Sequence, residues 1–311
     1  MEKTIFKGIE AIVLENDQLR CTFLPEYGGK LASFYDKKAS YEWLFQAREE
    51  TLRVPEYGAD FSKYDSSGFD EVFPSIDRGF HPLNGKVVPD HGEVWALPWK
   101  VEADGESLRM EVASPEFPYK LIKTVRLEGD TLKFDYKAIN LGGEDFAFIW
   151  TPHSLLNYND KTFIKVPEGL NEIMTVEHQT VHLGEWGTRH PYPVTQSISD
   201  EKLDLSMVQG PTDRTSEKFY FTSKLLEGWC VAVQPDQGTQ LEYRFPEEQL
   251  PYLGLWKTQG GYRGDYNFAL EPCTGIYDDV YTANKIRKVS KIPANGESNW
   301  WFEMKISTLD K

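Results

Sequence analysis

Apolar and polar residues alternate along most of the chain. In LRCTFLP, Leu19, Cys21 and Phe23 fall on one side, as in a half-buried strand. SLRMEVAS, YKLIKTVRLEG and TLKFDYKAIN follow one another through residues 107–140. Their turns are short: Asp104-Gly105 comes before the first, and Glu128-Gly129-Asp130 lies between the last two. Such turns cannot carry a parallel crossover, so this stretch predicts a meander of adjacent antiparallel strands. EDFAFIW, KTFIKV, EKFYFTS, GWCVAVQP and TQLEYRF continue the style, rich in Val, Ile, Phe, Tyr and Trp. RKVSKI, the turn PANGES and NWWFEMKIS predict a C-terminal hairpin. No window of about 12 residues shows a capped 3.6-residue apolar period, so helical turns are expected only within 41–50 or 276–285.

Two regions break the alternation. Residues 51–93 mix Gly, Pro, Asp and Ser with Tyr57, Phe61 and Phe73, and residues 182–217 are similarly irregular around Trp186. Long loops in a compact β protein line a binding site or cover a sheet end, and recurring aromatics argue against flexible linkers. The chain of 311 residues therefore reads as all-β and as one domain over residues 1–311. That is somewhat longer than the roughly 200–250 residues common for large β sandwiches and barrels. No repeat period suggests a propeller or solenoid.

Charge narrows the partners. Forty-nine acidic against 34 basic residues give a net charge of -15, which repels phosphate backbones and anionic lipid headgroups. No nucleic-acid and no membrane partner is expected, and substrates carrying several phosphates are disfavoured. No run reaches the roughly 18 apolar residues of a membrane helix, and the N-terminus lacks the apolar core and cleavage site of a signal peptide. Three dispersed cysteines, Cys21, Cys230 and Cys273, make no disulfide frame. A cytoplasmic location follows as an expectation; the oligomeric state has no signal.

Several residues could carry chemistry. His91 sits in VPDHGEVWALPW beside Trp95 and Trp99, and His153 ends an apolar strand in FAFIWTPHSLLN. Each could be a structural hydrogen-bonding group, or an acid or base on a rigid mount. Glu271 follows the strand-like run YNFAL and leads into PCTG; such a carboxylate is either desolvated, with a useful pKa, or turned to solvent. Arg78 in FPSIDRGFHP could bind hydroxyls or pair with Asp77, and Trp256 in LPYLGLW could be a sugar platform or core. His178, His182 and His190 are too loosely spaced for a zinc site. No GxGxxG or GxxxxGK[ST] supports a nucleotide.

Taken in order, LENDQLRCTFLPEYGGKLASF, DHGEVW, WTPHSLLN, LPYLGLW, ALEPCTG and IPANGESNWWFEMKI resemble the aldose 1-epimerase (mutarotase) family over about residues 14–306. The resemblance implies a β-supersandwich of large antiparallel sheets with a site on a concave face. It puts the family's general acid on His153 and its general base on Glu271. The sugar-contacting His falls on His91, and the upstream arginine on Arg78. The family's substrate-binding acid is open between Asp236, in VQPDQG, and Glu247, and Trp256 joins the binding set.

The implied reaction interconverts the α and β anomers of a free, unphosphorylated aldose by ring opening and closure, with no metal and no organic cofactor. Two rivals remain at this stage. A non-catalytic sugar-binding or sugar-sensing protein would keep the aromatic platform but hold His153 and Glu271 apart. A lyase or glycosidase would want a long groove, for example with two carboxylates flanking a glycosidic bond.

Overall fold

The alternation through residues 100–140 becomes four successive antiparallel strands, Lys100–Asp104, Ser107–Ala113, Tyr119–Glu128 and Thr131–Asn140. The structure is a computed structural model that describes residues 1–177, 180, 182–208 and 215–309. The meander forms half of an eight-stranded sheet. Its other strands, moving outward from Thr131–Asn140, are Glu297–Thr308, Thr239–Arg244, Trp229–Gln234 and Phe163–Lys165. One face is apolar: Leu121, Val125, Phe134, Phe302 and Met304 are all buried. The intervening residues, such as Lys133 and Glu303, carry surface ion pairs, the period-two pattern of a sheet wet on one side.

The predicted C-terminal hairpin does not form. Ser290–Ile292 pairs instead with Phe146–Phe148, while Glu297–Thr308 runs between Thr131–Asn140 and Thr239–Arg244. A three-residue strand cannot complete the ladder of a twelve-residue one, whereas these two neighbours can, and buried backbone groups need partners. The turn redirects the chain between sheets, with Asn295 left-handed at φ 52°. Among the described residues the one α-helix is Val280–Lys285, inside the 276–285 window. Residues 41–50 hold a two-residue strand, Tyr41–Glu42, and no helix. No helix among the described residues is long and apolar enough to cross a membrane.

The second layer is built from two sheets joined edge to edge. One runs Glu2–Phe6, Ile9–Glu15, Leu19–Leu24, Lys30–Asp36, Phe69–Val72 and Thr151–Ser154. The other runs Arg189–Pro191, Glu172–Thr175, Thr215–Phe221, Tyr252–Gln259 and Tyr266–Cys273. They meet where Thr151–Ser154 lies along Tyr266–Cys273. The Leu156 and Phe268 backbones exchange two hydrogen bonds at 2.7 and 3.2 Å, and Thr274 N–H donates to the Trp150 carbonyl at 3.1 Å. The result is a supersandwich of antiparallel sheets.

Side-chain direction along this seam decides where function can sit. Phe69 packs on Phe134 and Phe302 of the eight-stranded sheet, and Ser154 hydrogen-bonds Tyr243 of that sheet at 2.6 Å. Glu71 also points inward, where its carboxylate accepts from Lys123 (2.9 Å), Tyr136 (2.8 Å) and Trp150 (2.9 Å). Alternation then turns Asp70 and His153, which face each other in register, to the opposite side. The same logic sends Phe268 and Leu270 into the core and Glu271 away from it. Phe219 and Phe221 likewise pack inward, and Lys218 and Tyr220 turn outward.

Candidate active site

A row of ionisable side chains crosses the outward face of the seam, one from each of five strands. In order they are Lys30, Asp70, His153, Glu271 and Lys218. Lys30 is fully buried and bridges Asp65 and Asp70, both at 3.1 Å. Burial pushes the Asp70 carboxyl up to about 6 despite the attraction of Lys30.

The centre of the row is a three-membered contact. His153 Nδ1 lies 3.0 Å from Glu271 Oε1, and Lys218 Nζ lies 3.2 Å from Glu271 Oε2. Lys218 also reaches Asp278 Oδ1 at 3.0 Å, and Tyr220 donates to that same oxygen. Glu271 itself is 0 % exposed. Burial alone would raise its pKa, but Lys218 and His153 outweigh it and hold the carboxyl at about 2. Burial lowers the imidazole of His153 below its ordinary 6.5, with Glu271 opposing the shift and His91 adding to it. Burial also works against the Lys218 ammonium, yet Asp278, Glu271 and Asp77 together hold it above the usual lysine range. Gly254 stands in register between Tyr220 and Glu271. A Cβ there would come within 2.9 Å of the Tyr220 ring, so only glycine leaves this group room.

The irregular segment 51–93 closes over the row. His91 adopts a left-handed φ of 57°, followed by Gly92 at 74°, where a Cβ would lie 2.1 Å from the Phe73 carbonyl oxygen. This is the physical reason for the His-Gly pair: the turn presses its backbone against Phe73 and throws the imidazole over the seam. Phe61 stacks on His91 with centroids 3.8 Å apart, and the His91 and His153 rings meet edge to face at 5.1 Å. Asp90 Oδ1 lies 3.1 Å from His91 Nδ1, which orients the ring. The Asp278 carbonyl accepts the backbone N–H groups of Ile76 and Asp77, each at 2.9 Å, which pins Asp77 beside Asp278. Asp77 opens onto the cavity, yet the walls around it and the like charge of Asp278 push it up to about 6.

Together these elements enclose a cavity of about 440 Å³. His91, His153 and Lys218 line it with the aromatics Trp256, Tyr262, Trp186 and Tyr277 and the carboxylates Asp77, Asp90 and Asp278. Of the residues singled out in the sequence, His91, His153 and Trp256 reach this cavity, and Glu271 lies directly beneath His153 and Lys218. Arg78 does not line it. It borders a neighbouring depression with Tyr57 and Lys86, separated by a wall to which Asp90 contributes both faces. Asp236 is also elsewhere, in the turn Pro235–Gln237 of the eight-stranded sheet, paired with Lys161 at 2.7 Å; Glu247 lies outside the cavity as well. His190 is tied to Thr195 and to the Leu183 carbonyl, and His178 lies outside the described residues. Among those described, no three His, Cys, Asp or Glu side chains cluster as metal ligands.

Lys218, Asp77 and Asp278 were not legible as site residues. One signal for Lys218 existed: in EKFYF the lysine occupies the phase opposite to Phe219 and Phe221, so it had to lie on a face away from the core.

The comparisons with known proteins follow the same architecture. The chain aligns with a putative aldose 1-epimerase from Escherichia coli at a TM-score of 0.71 and 15% identity, covering 96% of this chain and 99% of that one. A protein from Synechocystis sp. PCC 6803 gives 0.69 at 19% identity, covering 99% and 100%. A galactose mutarotase related enzyme from Lactobacillus acidophilus gives 0.68 at 16% identity, covering 97% and 99%. At these identities the likeness speaks for the fold, which is galactose mutarotase-like. No curated protein matches in sequence. The family model described as aldose 1-epimerase matches residues 10–273, most of the length, and the chain belongs to the aldose 1-epimerase family.

Proposed function

We propose that this protein interconverts the α and β anomers of a free aldose by acid–base ring opening and closure in the seam cavity. The observation that carries the reading is the contact between His153 and Glu271, which come from strands 118 residues apart in sequence and meet at 3.0 Å. Anomerisation moves protons on two oxygens bonded to one carbon, so its acid and base must be near neighbours. A binding protein has no need to bring an imidazole and a carboxylate together under its ligand.

The lining supports a sugar. A cavity of this volume suits a small molecule. Trp256 and Tyr262, edge to face at 5.9 Å, and Trp186 with Tyr277 at 5.7 Å offer apolar surfaces for the C–H faces of a pyranose. His91, Asp77 and Asp90 supply partners for its hydroxyls, Asp77 taking the place foreseen for Asp236. Arg78 would meet only a substituent that reaches past Asp90. The sugar is unphosphorylated in this reading. Asp77, Asp90, Glu177, Asp278 and Asp279 line the cavity, and its lysine is already engaged by two carboxylates, so a phosphate dianion would meet repulsion. Ring opening is a matter of proton transfers alone and calls for neither metal nor organic cofactor. The three cysteines are free and buried.

Freshly dissolved α-anomers of a panel of neutral aldoses test the reading by polarimetry. Conversion to the equilibrium mixture is expected to accelerate in proportion to protein concentration for at least one sugar, with its 6-phosphate turned over at least tenfold more slowly. A panel with no acceleration would remove the proposed activity.

A further inference from the structure

At three points the seam cavity and the depression beside it are separated by no more than one residue. Phe61 lines the cavity and Asp60 the depression, Asp77 lines the cavity and Arg78 the depression, and Asp90 lines both. Neighbouring Cα atoms stand about 3.8 Å apart, so the step from one hollow to the other is on the scale of a glycosidic linkage. The depression holds about 720 Å³ and is the more open of the two.

Two groups in it are free to meet a ligand. Tyr57 is 40 % exposed, but its hydroxyl donates at 2.7 Å to Glu93, which is 0 % exposed and also accepts from Tyr119 at 2.6 Å. The ring is thereby fastened at its tip while its apolar body stays open to the depression. A platform oriented in advance costs little entropy to use. The Arg78 guanidinium is exposed and, among the described residues, has no hydrogen-bond or ion-pair partner. Every other charged side chain of the depression has one: Asp60 with Lys63 at 3.2 Å, Lys86 with Glu116 at 2.9 Å and Asp90 with His91 at 3.1 Å.

We propose that this depression is a second sugar subsite, so that the seam cavity takes the reducing end of a neutral disaccharide or longer oligosaccharide. The inference rests on the anomerase reading above and names its substrate class. Anomerisation needs a free anomeric carbon beside His153 and Glu271, so whatever extends over the Asp90 rim is linked through another hydroxyl of that sugar. The extension is therefore the non-reducing part of the chain. Tyr57, with Val87 and Pro89 nearby, offers an apolar surface to the C–H face of the second ring. The planar fork of Arg78 donates to its hydroxyls. A neutral unit suits the charge, because an acidic one would gain Arg78 but meet Asp60, Asp90 and Glu116 as well. Hydrolysis within a longer glycan is the class of reaction that supplies such a substrate, since it releases each new reducing end as a single anomer.

The test compares the monosaccharide turned over fastest with reducing disaccharides that carry it as their reducing unit, linked through its 3-, 4- or 6-hydroxyl. Exchange NMR of the anomeric protons of that unit reads the rate. The wild-type kcat/KM is expected to be about tenfold higher for at least one disaccharide than for the monosaccharide. Tyr57→Ala and Arg78→Met are each expected to cut that ratio at least about threefold. Should Tyr57→Ala fail to fold with Glu93 left short of a donor, Val87→Trp, at a position 45 % exposed, fills the depression and is expected to do the same. A wild-type ratio below about threefold for every linkage overturns the inference alone, because the monosaccharide is still turned over. Folded variants that keep the wild-type ratio overturn it too. Faster turnover of the counterpart with a uronic acid as second unit overturns the neutral assignment. A wild type inert toward every monosaccharide and disaccharide removes the proposed function, and the subsite goes with it.

Discussion

Replacing Glu271 by glutamine is expected to lower kcat by about a hundred- to ten-thousand-fold while leaving a folded protein. Glutamine keeps the shape and can still accept from one neighbour, but it cannot hold a charge between His153 and Lys218. Without the anion, the acid–base pair that carries the proposed reaction is broken, and nothing fixes which nitrogen of His153 carries the proton. The effect should fall on kcat, because Glu271 is covered and does not line the cavity. Saturation-transfer NMR between the two anomers measures the exchange directly. His153→Asn should show a loss of similar size, and the double variant should be little worse than either single one, since the two act as a unit. Additive losses would show that they do not.

The second large effect concerns stability. Lys30→Met is expected to destabilise the fold by about 3–5 kcal/mol, because it strands two carboxylates in the interior. Lys30 lies 3.1 Å from both Asp65 and Asp70 and also donates to the Ser67 carbonyl at 2.7 Å. Among the described residues neither Asp70 oxygen has a hydrogen-bond partner, so the Lys30 ion pair is what compensates its charge. The pH dependence has a definite sign. Asp70 at about 6 in the folded state stands above its unfolded value of roughly 3.9. The native state therefore binds the proton more tightly, and stability falls as pH rises between the two values. Loss of Lys30 raises the folded value further, so the deficit should be largest near neutrality and shrink toward pH 5. Urea unfolding at two pH values measures it. A deficit that grew on acidification would mean that the pair is not the cause.

These two sites show how far the chain could be read in advance. The meander around residues 107–140 was legible because alternation, short turns and antiparallel pairing are all local. The C-terminal hairpin failed for the opposite reason: which partner Glu297–Thr308 takes depends on strands far away in the chain, and a short local strand loses to two longer ones. His91, His153 and Glu271 stood out through their motifs and the likeness to a family, and the fold draws them to one seam. Arg78 and Asp236 had the right chemistry, but the fold places Arg78 beyond the Asp90 wall and Asp236 on a turn of the other sheet. Lys218 looked like one more lysine in a strand. Its place between Glu271 and Asp278 follows from three strands and a loop meeting at one point.

By itself the sequence determined what is periodic and local. The strands follow from alternation, and the face of each strand from which side chains are apolar. Tertiary structure alone decided which strands lie side by side along the seam, and with them which charges touch. Pairing between distant strands is chosen by the total burial and hydrogen bonding of the whole sheet, which no single segment encodes. The row from Lys30 to Lys218 is its product: five residues whose charges and proton affinities are set by one another once the two sheets join.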